Sequence, residues 1–409
     1  MKISEFSSKY NLSNDTVRYY MKLNLLVPQK KGGHYNFDKE CEKDIKEILR
    51  LKNMDFTLQE IKKILYFKRI GKLSSYQRNK YYQSLYKDKI NEIEKRIGEL
   101  KESRDELKEK INKLDKINQN EKTLLGINLD ALSLFSCPKC NRELSLSAEN
   151  IKNNQIIKGS LNCNCGKSLL IKEGIIYNIN QPENEKSIEE NHIEKYIQNT
   201  HPDFMDKSYN SMEWLKKELT NENLKNKVIL EPGTGYGYFL RQIYNELPED
   251  SYYICVDNNP DLNRYLKSIL EMSGKHTNVI FITSNLPKLP LKKNIVDILV
   301  DFTGTSCYCF ENQDFLPPLL DEYLKEEVLF LATFIIYKHF GPNSIVNRMY
   351  RDNFKYEKVK DNIEKMSFEF KKEKKSEVQY IKESMGKYED FAQPGDKIYS
   401  YQIKAKRWS

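Results

Sequence analysis

The sequence predicts a multidomain chain: a small helical domain and a long coiled-coil helix, then a cysteine-rich ribbon and a doubly wound α/β domain. Three observations carry this prediction: an apolar heptad between residues 90 and 114, two cysteine pairs within residues 137–165, and a strand with a glycine-rich turn at residues 227–237. The 409 residues are also too many for one ordinary domain. The predicted domains span residues 1–72, 73–122, 130–180 and 190–409.

The composition narrows the class of protein. Hydrophobic residues make up 39% of the chain and charged residues 31%, which suits packed cores and excludes global disorder. The net charge of +8 permits a nucleic-acid partner, although a lysine-rich solvated surface would give the same balance. No apolar run reaches the roughly 20 residues of a membrane span, and the first residues do not form a signal peptide. We therefore expect a cytoplasmic protein whose eight cysteines remain reduced.

The first 71 residues predict short helices and a hairpin. Capping side chains mark the helix starts, and we assign as N-caps Ser4, Ser13, Asp38 and Thr57, the last in a capping box with Glu60. Residues 30–33, Lys-Lys-Gly-Gly, predict a turn between two short extended pieces, which together form a wing.

Residues 75–118 predict one long helix. Steps of three and four residues define an apolar seam formed by Ile90, Ile93, Ile97, Leu100, Leu107, Ile111 and Leu114, which Arg104 interrupts once. A seam this narrow needs a partner helix, either from the same chain or from a second copy. Because the sequence contains no second heptad helix of this length, we favour a homodimeric coiled coil.

Three segments of the N-terminal region resemble the MerR family of transcription regulators: TVRYY at residues 16–20, LLVP at residues 25–28 and LRLKNMDFTLQEI at residues 49–61. With the wing and the long helix, the resemblance covers about the first 115 residues. It implies a winged helix-turn-helix that binds near-palindromic promoter DNA as a dimer. One departure is Tyr35, which stands where MerR proteins usually carry an arginine.

The DNA-binding residues follow from the helix-turn-helix geometry and from this resemblance. A recognition helix needs basic and hydrogen-bonding side chains near its N-terminus, which Asn14, Asp15 and Arg18 provide. The resemblance implies that Arg18 and Tyr19 face DNA while Tyr20 packs inward. In the wing, the side chains expected to approach phosphates are those of Lys30, Lys31 and His34.

The cysteine pairs predict a metal site. Cys137 and Cys140 form one close pair, and Cys163 and Cys165 form a second, so that four thiolates suit a tetrahedral structural zinc. The segment resembles a zinc ribbon of the kind that partners many methyltransferases. The second pair has one intervening residue where two are usual, so a metal-free ribbon remains the alternative. We interpret as packing residues the other cysteines, Cys41, Cys255, Cys307 and Cys309.

The last segment alternates strand-like and helical patterns, which indicates a mostly parallel sheet covered by helices. The predicted strands are residues 227–230, 252–256, 279–282, 295–300 and 328–336.

The first of these strands leads into KVILEPGTGYG at residues 227–237. Glu231 ends this strand, and Asp257 ends the next one, where a ribose-binding acid lies in doubly wound folds. The G-x-G-x-G spacing and the nearby carboxylate argue against a dinucleotide pyrophosphate.

The motif resembles the class I S-adenosylmethionine-dependent methyltransferases. The resemblance implies that Glu231 supports the amino end of the cofactor, that the turn makes room for it, and that Asp257 holds the ribose hydroxyls. Asn258 and Asn285 are expected beside the adenine. The turn residues are Gly233, Thr234, Gly235 and Gly237.

The acceptor of the methyl group is harder to read from the sequence. Residues 301–306 match neither the D/N-P-P-Y motif of adenine-amine methylases nor the Pro-Cys of cytosine methylases, so we interpret the acceptor as something other than DNA. Candidate bases are Asp301, Tyr308 and His339, and each of them also suits a structural role. Proximity to the sulfonium suffices for many methyl transfers.

The sequence thus favours a DNA-binding regulator with a methyltransferase domain that acts on a small-molecule effector. The first alternative is a non-catalytic sensor that binds S-adenosylmethionine or an effector. A second is an enzyme whose head serves only for dimerisation, which the intact Arg18-Tyr19 pair disfavours. The expected cofactors are S-adenosylmethionine and zinc, and the expected partners are promoter DNA, a second copy of the chain and a small molecule, with no membrane.

Overall fold

The computed structural model describes residues 1–31, 33–71, 74–117, 123–179, 188, 192–274, 278–386, 389 and 391–407. Gly32 of the predicted wing turn, the side chain of Lys31 and, apart from Ile188, the predicted linker at residues 181–190 lie outside what it describes. The chain forms two compact units, Met1–Asn118 and Gln119–Ser409, which are described separately.

The N-terminal unit is helical with one small hairpin. Its elements are α1 (Ile3–Lys9), α2 (Asn14–Lys22), β1 (Gln29–Lys31), β2 (His34–Asn36), α3 (Lys39–Asn53), α4 (Leu58–Ile70) and α5 (Ser75–Ile117). The strands β1 and β2 pair antiparallel as the predicted wing. One apolar core joins the four short helices, with Phe6, Val17, Ile45 and Ile61 fully buried.

Side-chain caps set the helix starts, as the sequence predicts for Ser13, Asp38 and Thr57. The Ser13 hydroxyl accepts from the Thr16 N–H at 3.0 Å. Asp38 accepts from two N–H groups of α3, and Thr57 and Glu60 form the reciprocal capping box.

The prediction for Ser4 is wrong. Helix α1 begins at Ile3, with Lys2 as the N-cap, so Ser4 lies inside the first turn. The Glu5 carboxylate accepts from the Lys2 N–H at 3.0 Å, and this acid at the third helical position does the capping that we expected of a serine hydroxyl.

The long helix α5 confirms the prediction for residues 75–118 over its described part. Its seam has no cover within the described residues of this unit: the seam side chains other than the half-buried Ile93 are 45–62% exposed. A 43-residue helix with an exposed apolar stripe of this kind needs a partner surface to bury the stripe.

The C-terminal unit is built on a parallel sheet. The five strands at its centre are β8 (Val228–Pro232), β9 (Tyr252–Asp257), β10 (Asn278–Thr283), β11 (Val296–Phe302) and β12 (Leu324–His339). They run parallel in the order β10-β9-β8-β11-β12. All five correspond to strands that the sequence predicts.

Three further strands were not predicted. They are β13 (Glu369–Lys375), β14 (Gln379–Tyr380) and β15 (Lys397–Arg407). Strand β15 runs antiparallel beside β12, and both β13 and β14 pair with β15. Strand β13 is largely exposed and rich in lysine and glutamate, so it lacks the apolar run that marks a buried strand.

The cysteine-rich segment joins the same sheet. Its strands are β3 (Ile127–Asn128), β4 (Ser145–Lys152), β5 (Gln155–Asn162), β6 (Ser168–Lys172) and β7 (Ile175–Tyr177). They pair antiparallel with one another, and β7 pairs parallel with β10. The result is one sheet of 13 strands.

Helices cover both faces of the sheet, which makes it doubly wound. The helices are α6 (His192–Asn199), α7 (Pro202–Thr220), α8 (Tyr238–Ile243), α9 (Pro260–Glu271), α10 (Gly304–Glu311), α11 (Leu316–Leu320) and α12 (Tyr356–Lys365). Successive strand residues enter opposite cores: Ile229 packs with α7 to α9, and Leu230 with α10 to α12. Among the described helices, none is long and apolar enough to cross a bilayer.

Candidate functional site

The helix that the sequence predicts to recognise DNA is α2. Arg18 and Tyr19 project from it with side-chain exposures of 67% and 51%, whereas Tyr20 is 2% exposed and packs in the core as expected. This arrangement leaves a cation and a phenol on the outer face of the helix, where both are able to contact DNA.

The other two polar residues at the start of α2 have partners within the head. The Asn14 Oδ1 accepts from the Ser7 hydroxyl at 2.7 Å and so ties α2 to α1. Asp15 lies 3.4 Å from the Arg18 guanidinium. Asn14 therefore orients the helix, and Asp15 steadies the arginine.

The wing presents basic side chains from both strands. Lys30 lies opposite Tyr35, and its ammonium is 6.0 Å from the centre of that ring. Lys31 pairs through the backbone with His34, which is exposed. Tyr35, at the position where MerR proteins usually carry an arginine, supports Lys30 through its ring face.

The four predicted metal ligands meet in one cluster. The Sγ atoms of Cys137 and Cys165 are 3.5 Å apart, as are those of Cys140 and Cys163, and all four lie within 4.8 Å of one another. A zinc tetrahedron with Zn–S bonds of about 2.3 Å has sulfur–sulfur distances of about 3.8 Å. The donor set therefore fits zinc.

Two tight turns bring the thiols together despite the short second pair. The Cys137 N–H donates to the Arg142 carbonyl, and the Cys163 N–H donates to the Lys167 carbonyl, both at 2.9 Å. Because a backbone hydrogen bond closes each turn, the thiols of Cys163 and Cys165 both reach the cluster with one residue between them. The site is formed wholly by protein sulfur, as a structural site is.

The glycine-rich turn connects β8 to α8. Gly233 and Gly235 have φ of +67° and +57°, a left-handed conformation that favours glycine. A Cβ on Gly233 would lie 3.0 Å from the Gly304 Cα, so the turn packs tightly there. Around Gly235 the space is open, with the nearest atom to such a Cβ at 4.0 Å. Gly237 precedes α8 as its N-cap.

Thr234 and Asp257 hold this turn against β9. The Thr234 hydroxyl donates to the Glu231 carbonyl at 2.9 Å and accepts from the Val256 N–H at 3.1 Å. Asp257 accepts from the Gly235 and Asn259 N–H groups, and its burial raises its pKa. Both side chains lie at the carboxyl ends of parallel strands, where doubly wound folds bind ligands.

Glu231 is buried beside the turn. Its Oε2 accepts from the Tyr253 hydroxyl at 2.8 Å. Burial raises the pKa of Glu231 to about 8, so the carboxyl is largely protonated at neutral pH. A cation placed against it would favour its ionised form.

A cavity of about 800 Å³ opens from the glycine turn. This volume is within the range of small-molecule sites, about 300–1,000 Å³. The end nearest the turn is lined by Glu231, Gly233, Thr234, Gly235, Phe302 and Thr303. The lining also contains aromatic residues, which include Tyr196, Phe204, Tyr238, Phe310, Phe391 and Tyr399.

The predicted adenine-side residues lie apart from this cavity lining. Asn258 and Asn285 are exposed at the ends of β9 and β10. Tyr236, which lines the cavity, stacks its ring on His192 with centroids 3.9 Å apart.

The three candidate bases are not brought together. Asp301 is buried and accepts from the Thr305 N–H at 3.0 Å, so it caps α10, and its burial raises its pKa to about 6. Tyr308 is half-buried and His339 exposed, and neither is among the described residues that line the cavity.

The cavity instead contains functional groups that the sequence analysis missed. These are Tyr196, Tyr238, Arg241, Cys307 and Glu389. The interpretation of Cys307 as a packing residue is wrong, because it is exposed and lines the cavity, whereas the packing cysteines Cys41, Cys255 and Cys309 are buried. No local motif marks these residues, since they come from separate elements.

Comparisons with known protein families find matches within the N-terminal unit. Residues 1–68 match the family described as MerR HTH family regulatory protein, and residues 43–110 match the one described as MerR, DNA binding. A search among curated proteins finds no match. The N-terminal unit is thus a MerR-type DNA-binding domain with a long helix.

Solved structures resemble the other half of the chain. A SAM-dependent methyltransferase from Aquifex aeolicus is 19% identical over 47% of this chain and 89% of its own, with a TM-score of 0.33. An S-adenosylmethionine-dependent methyltransferase from Mesorhizobium loti is 12% identical over 48% and 98%, with a TM-score of 0.32. Geranyl diphosphate C-methyltransferase from Streptomyces coelicolor is 12% identical over 44% and 69%, with a TM-score of 0.34. The five central strands of this half follow the order of a doubly wound fold.

Proposed function

We propose that this chain is a MerR-type transcription regulator whose C-terminal domain binds S-adenosylmethionine and methylates a small-molecule effector. One observation carries the proposal: the glycine turn that would hold the cofactor and a cavity with several aromatic residues share a single space. A methyl donor at the turn would therefore face an organic ligand in the cavity.

The residues around the turn fit the cofactor chemically. Gly235 leaves open space at the turn, and Asp257 stands at the end of β9 to accept the ribose hydroxyls. Glu231 would meet the ammonium end. Arg241 lines the same cavity and makes no ion pair among the described residues, so its guanidinium suits the cofactor carboxylate. When bound, the cofactor supplies a sulfonium methyl group.

The protein's own contribution is to enclose and orient the acceptor. The aromatic rings exclude water, which strengthens the electrostatic interactions within the cavity. The hydroxyls of Tyr238 and Thr333 are buried without hydrogen-bond partners among the described residues, and both residues line the cavity. Buried polar atoms normally have partners, so these two support a polar ligand there.

Dimerisation through α5 is part of the proposal. The exposed seam matches a homodimeric coiled coil, and a dimer would present two recognition helices to a near-palindromic promoter. A regulator that contacts promoter DNA works where the chromosome is, which supports a cytoplasmic location in bacteria.

A non-catalytic sensor is the second candidate. Asp301 is occupied as a helix cap, and Tyr308 and His339 do not line the cavity, so none of the predicted bases faces a ligand there. In that case the same cavity would bind an effector without turnover.

A crystal structure with S-adenosylmethionine tests the proposal. We expect the cofactor on Gly233 and Gly235 with its methyl group directed into the cavity. A methyl group blocked by protein would favour the sensor. A cofactor that does not bind at the turn, also in calorimetry, would refute the assignment.

A further inference from the structure

A carboxylate lies in the cavity lining beside one of its aromatic residues. Glu389 lines the cavity, and the Tyr196 hydroxyl donates to its Oε1 at 2.6 Å. Burial and then the charge of Glu389 raise the pKa of Tyr196 and of Tyr238, and Cys307 lines the same cavity. These three residues belong to α6, α8 and α10, so the carboxylate faces the space between the three helices.

The hydroxyl of Tyr238 points to a missing partner at the same place. It is buried and has no hydrogen-bond partner among the described residues. Its ring lies 5.2 Å from the ring of Tyr196, which binds Glu389. The charge of Glu389 also acts on Tyr238, so both groups belong to the same part of the cavity lining.

The surrounding rings complete an aromatic enclosure. Phe391 lies 5.6 Å from Phe204 and 6.1 Å from Phe310, measured between ring centres. Aromatic faces attract cations, and a carboxylate forms charge-assisted hydrogen bonds with an ammonium group. A ligand carboxylate would be repelled by Glu389, and a neutral alcohol would gain little from it.

The other charged groups of the lining do not reverse this preference. The Lys207 ammonium donates to the Gln379 Oε1 at 3.4 Å. In the proposed function, Arg241 is assigned to the cofactor carboxylate and Glu231 to the cofactor ammonium. Glu389 is then the acid that faces the acceptor.

We propose that the methyl acceptor is an amine with an apolar or aromatic body, whose nitrogen is bound by Glu389, Tyr196 and Tyr238. This inference rests on the proposed function, because it names the acceptor for the same cavity. Glu389 accepts a proton from the bound ammonium. The freed lone pair forms the nitrogen–methyl bond, while the sulfur–methyl bond breaks and leaves its electron pair on sulfur, giving an N-methylammonium and a thioether.

Matched probes test the inference with the full-length protein. Calorimetry in the presence of S-adenosylhomocysteine compares 2-phenylethylamine with 2-phenylethanol, which differ only in the polar group. We expect the amine to bind at least 10-fold more tightly, about the effect of one charged hydrogen bond. Glu389→Gln should remove this preference and leave the affinity for the alcohol unchanged. Tyr238→Phe should partly reduce the preference for the amine.

Glu383→Gln is the matched control, since Glu383 lies in the same connecting segment with an 80% exposed side chain. Thermal unfolding confirms that each variant is folded. Mass spectrometry should detect N-methylated 2-phenylethylamine when S-adenosylmethionine is supplied.

Equal affinities for the two probes, or an amine preference that survives Glu389→Gln, would overturn the inference. Amine binding without an N-methylated product would overturn the acceptor role. Failure of S-adenosylmethionine itself to bind is measured separately in the same calorimeter, and that result would count against the proposed function instead.

Discussion

The main-chain N–H of Gly235 donates a hydrogen bond to Oδ2 of Asp257 at 2.9 Å. This contact joins the glycine turn after β8 to the acid at the end of β9, 22 residues further along the chain. It sets the distance between the two parts of the proposed cofactor site before any ligand binds. A preformed site of this kind loses less entropy on binding than a flexible one.

Asp257→Ala should weaken S-adenosylmethionine binding by at least about 10-fold, because a charged hydrogen-bond acceptor is lost. Calorimetry measures the affinity, and thermal unfolding measures how much stability the lost Gly235 contact costs. The exposed Asp250→Ala is the control. Unchanged affinity in a folded Asp257→Ala variant would refute the ribose assignment.

Zinc analysis should find about one zinc per chain if the four thiolates coordinate it. Cys140→Ser should lose the metal and lower the unfolding temperature, since metal binding stabilises the folded ribbon. Cys307→Ser, a change outside the cluster, should keep the zinc. Folded wild-type protein without metal would show that the ribbon is held by its strands alone.

Arg18→Ala should weaken binding to the protein's own promoter and lower the slope of log Kd against log salt by roughly 1, as expected for one lost phosphate contact. Electrophoretic mobility shifts at several salt concentrations measure both effects. Lys382→Ala, an exposed change in the C-terminal unit, provides the comparison. If Arg18→Ala binds like the wild type, the head does not use this residue on DNA.

Leu107→Lys should convert a dimer to a monomer, because it places a charge in the middle of the exposed seam. Light scattering coupled to size-exclusion chromatography reports the mass. Glu109→Lys adds a lysine outside the seam and should remain dimeric. A wild-type protein that is already monomeric would rule out the homodimer.

Glu231→Gln should change the pH dependence of stability. Burial raises the pKa of Glu231 in the folded protein to about 8, from an ordinary value of 4.5. The folded state therefore binds the proton more tightly than the unfolded state, and this contribution to stability is lost as the pH rises from about 4.5 to 8. Thermal unfolding at pH 5 and pH 8 should show the wild type losing stability relative to the variant. A difference that does not vary with pH would contradict the raised pKa.

Much of the architecture can be predicted from the spacing of residues that are close together in the chain. The seam of α5, the caps at Ser13 and Thr57, and the five parallel strands each depend on residues close together in the chain, so periodicity and capping chemistry reveal them. Ser4 shows the limit of this reasoning, because Glu5 supplies the cap instead and no pattern distinguishes the two outcomes.

The sequence by itself determined the MerR-type head, the long helix, the cysteine pairs and the glycine turn with its two acids. Only the tertiary structure decided that the cysteine-rich strands join the main sheet, that Cys307 lines the cavity, and that Tyr196 meets Glu389 across 193 residues of chain. The physical reason is that such contacts depend on strand order and on which helix covers which face. Neither strand order nor helix placement produces a periodic sequence pattern around the residues that come into contact.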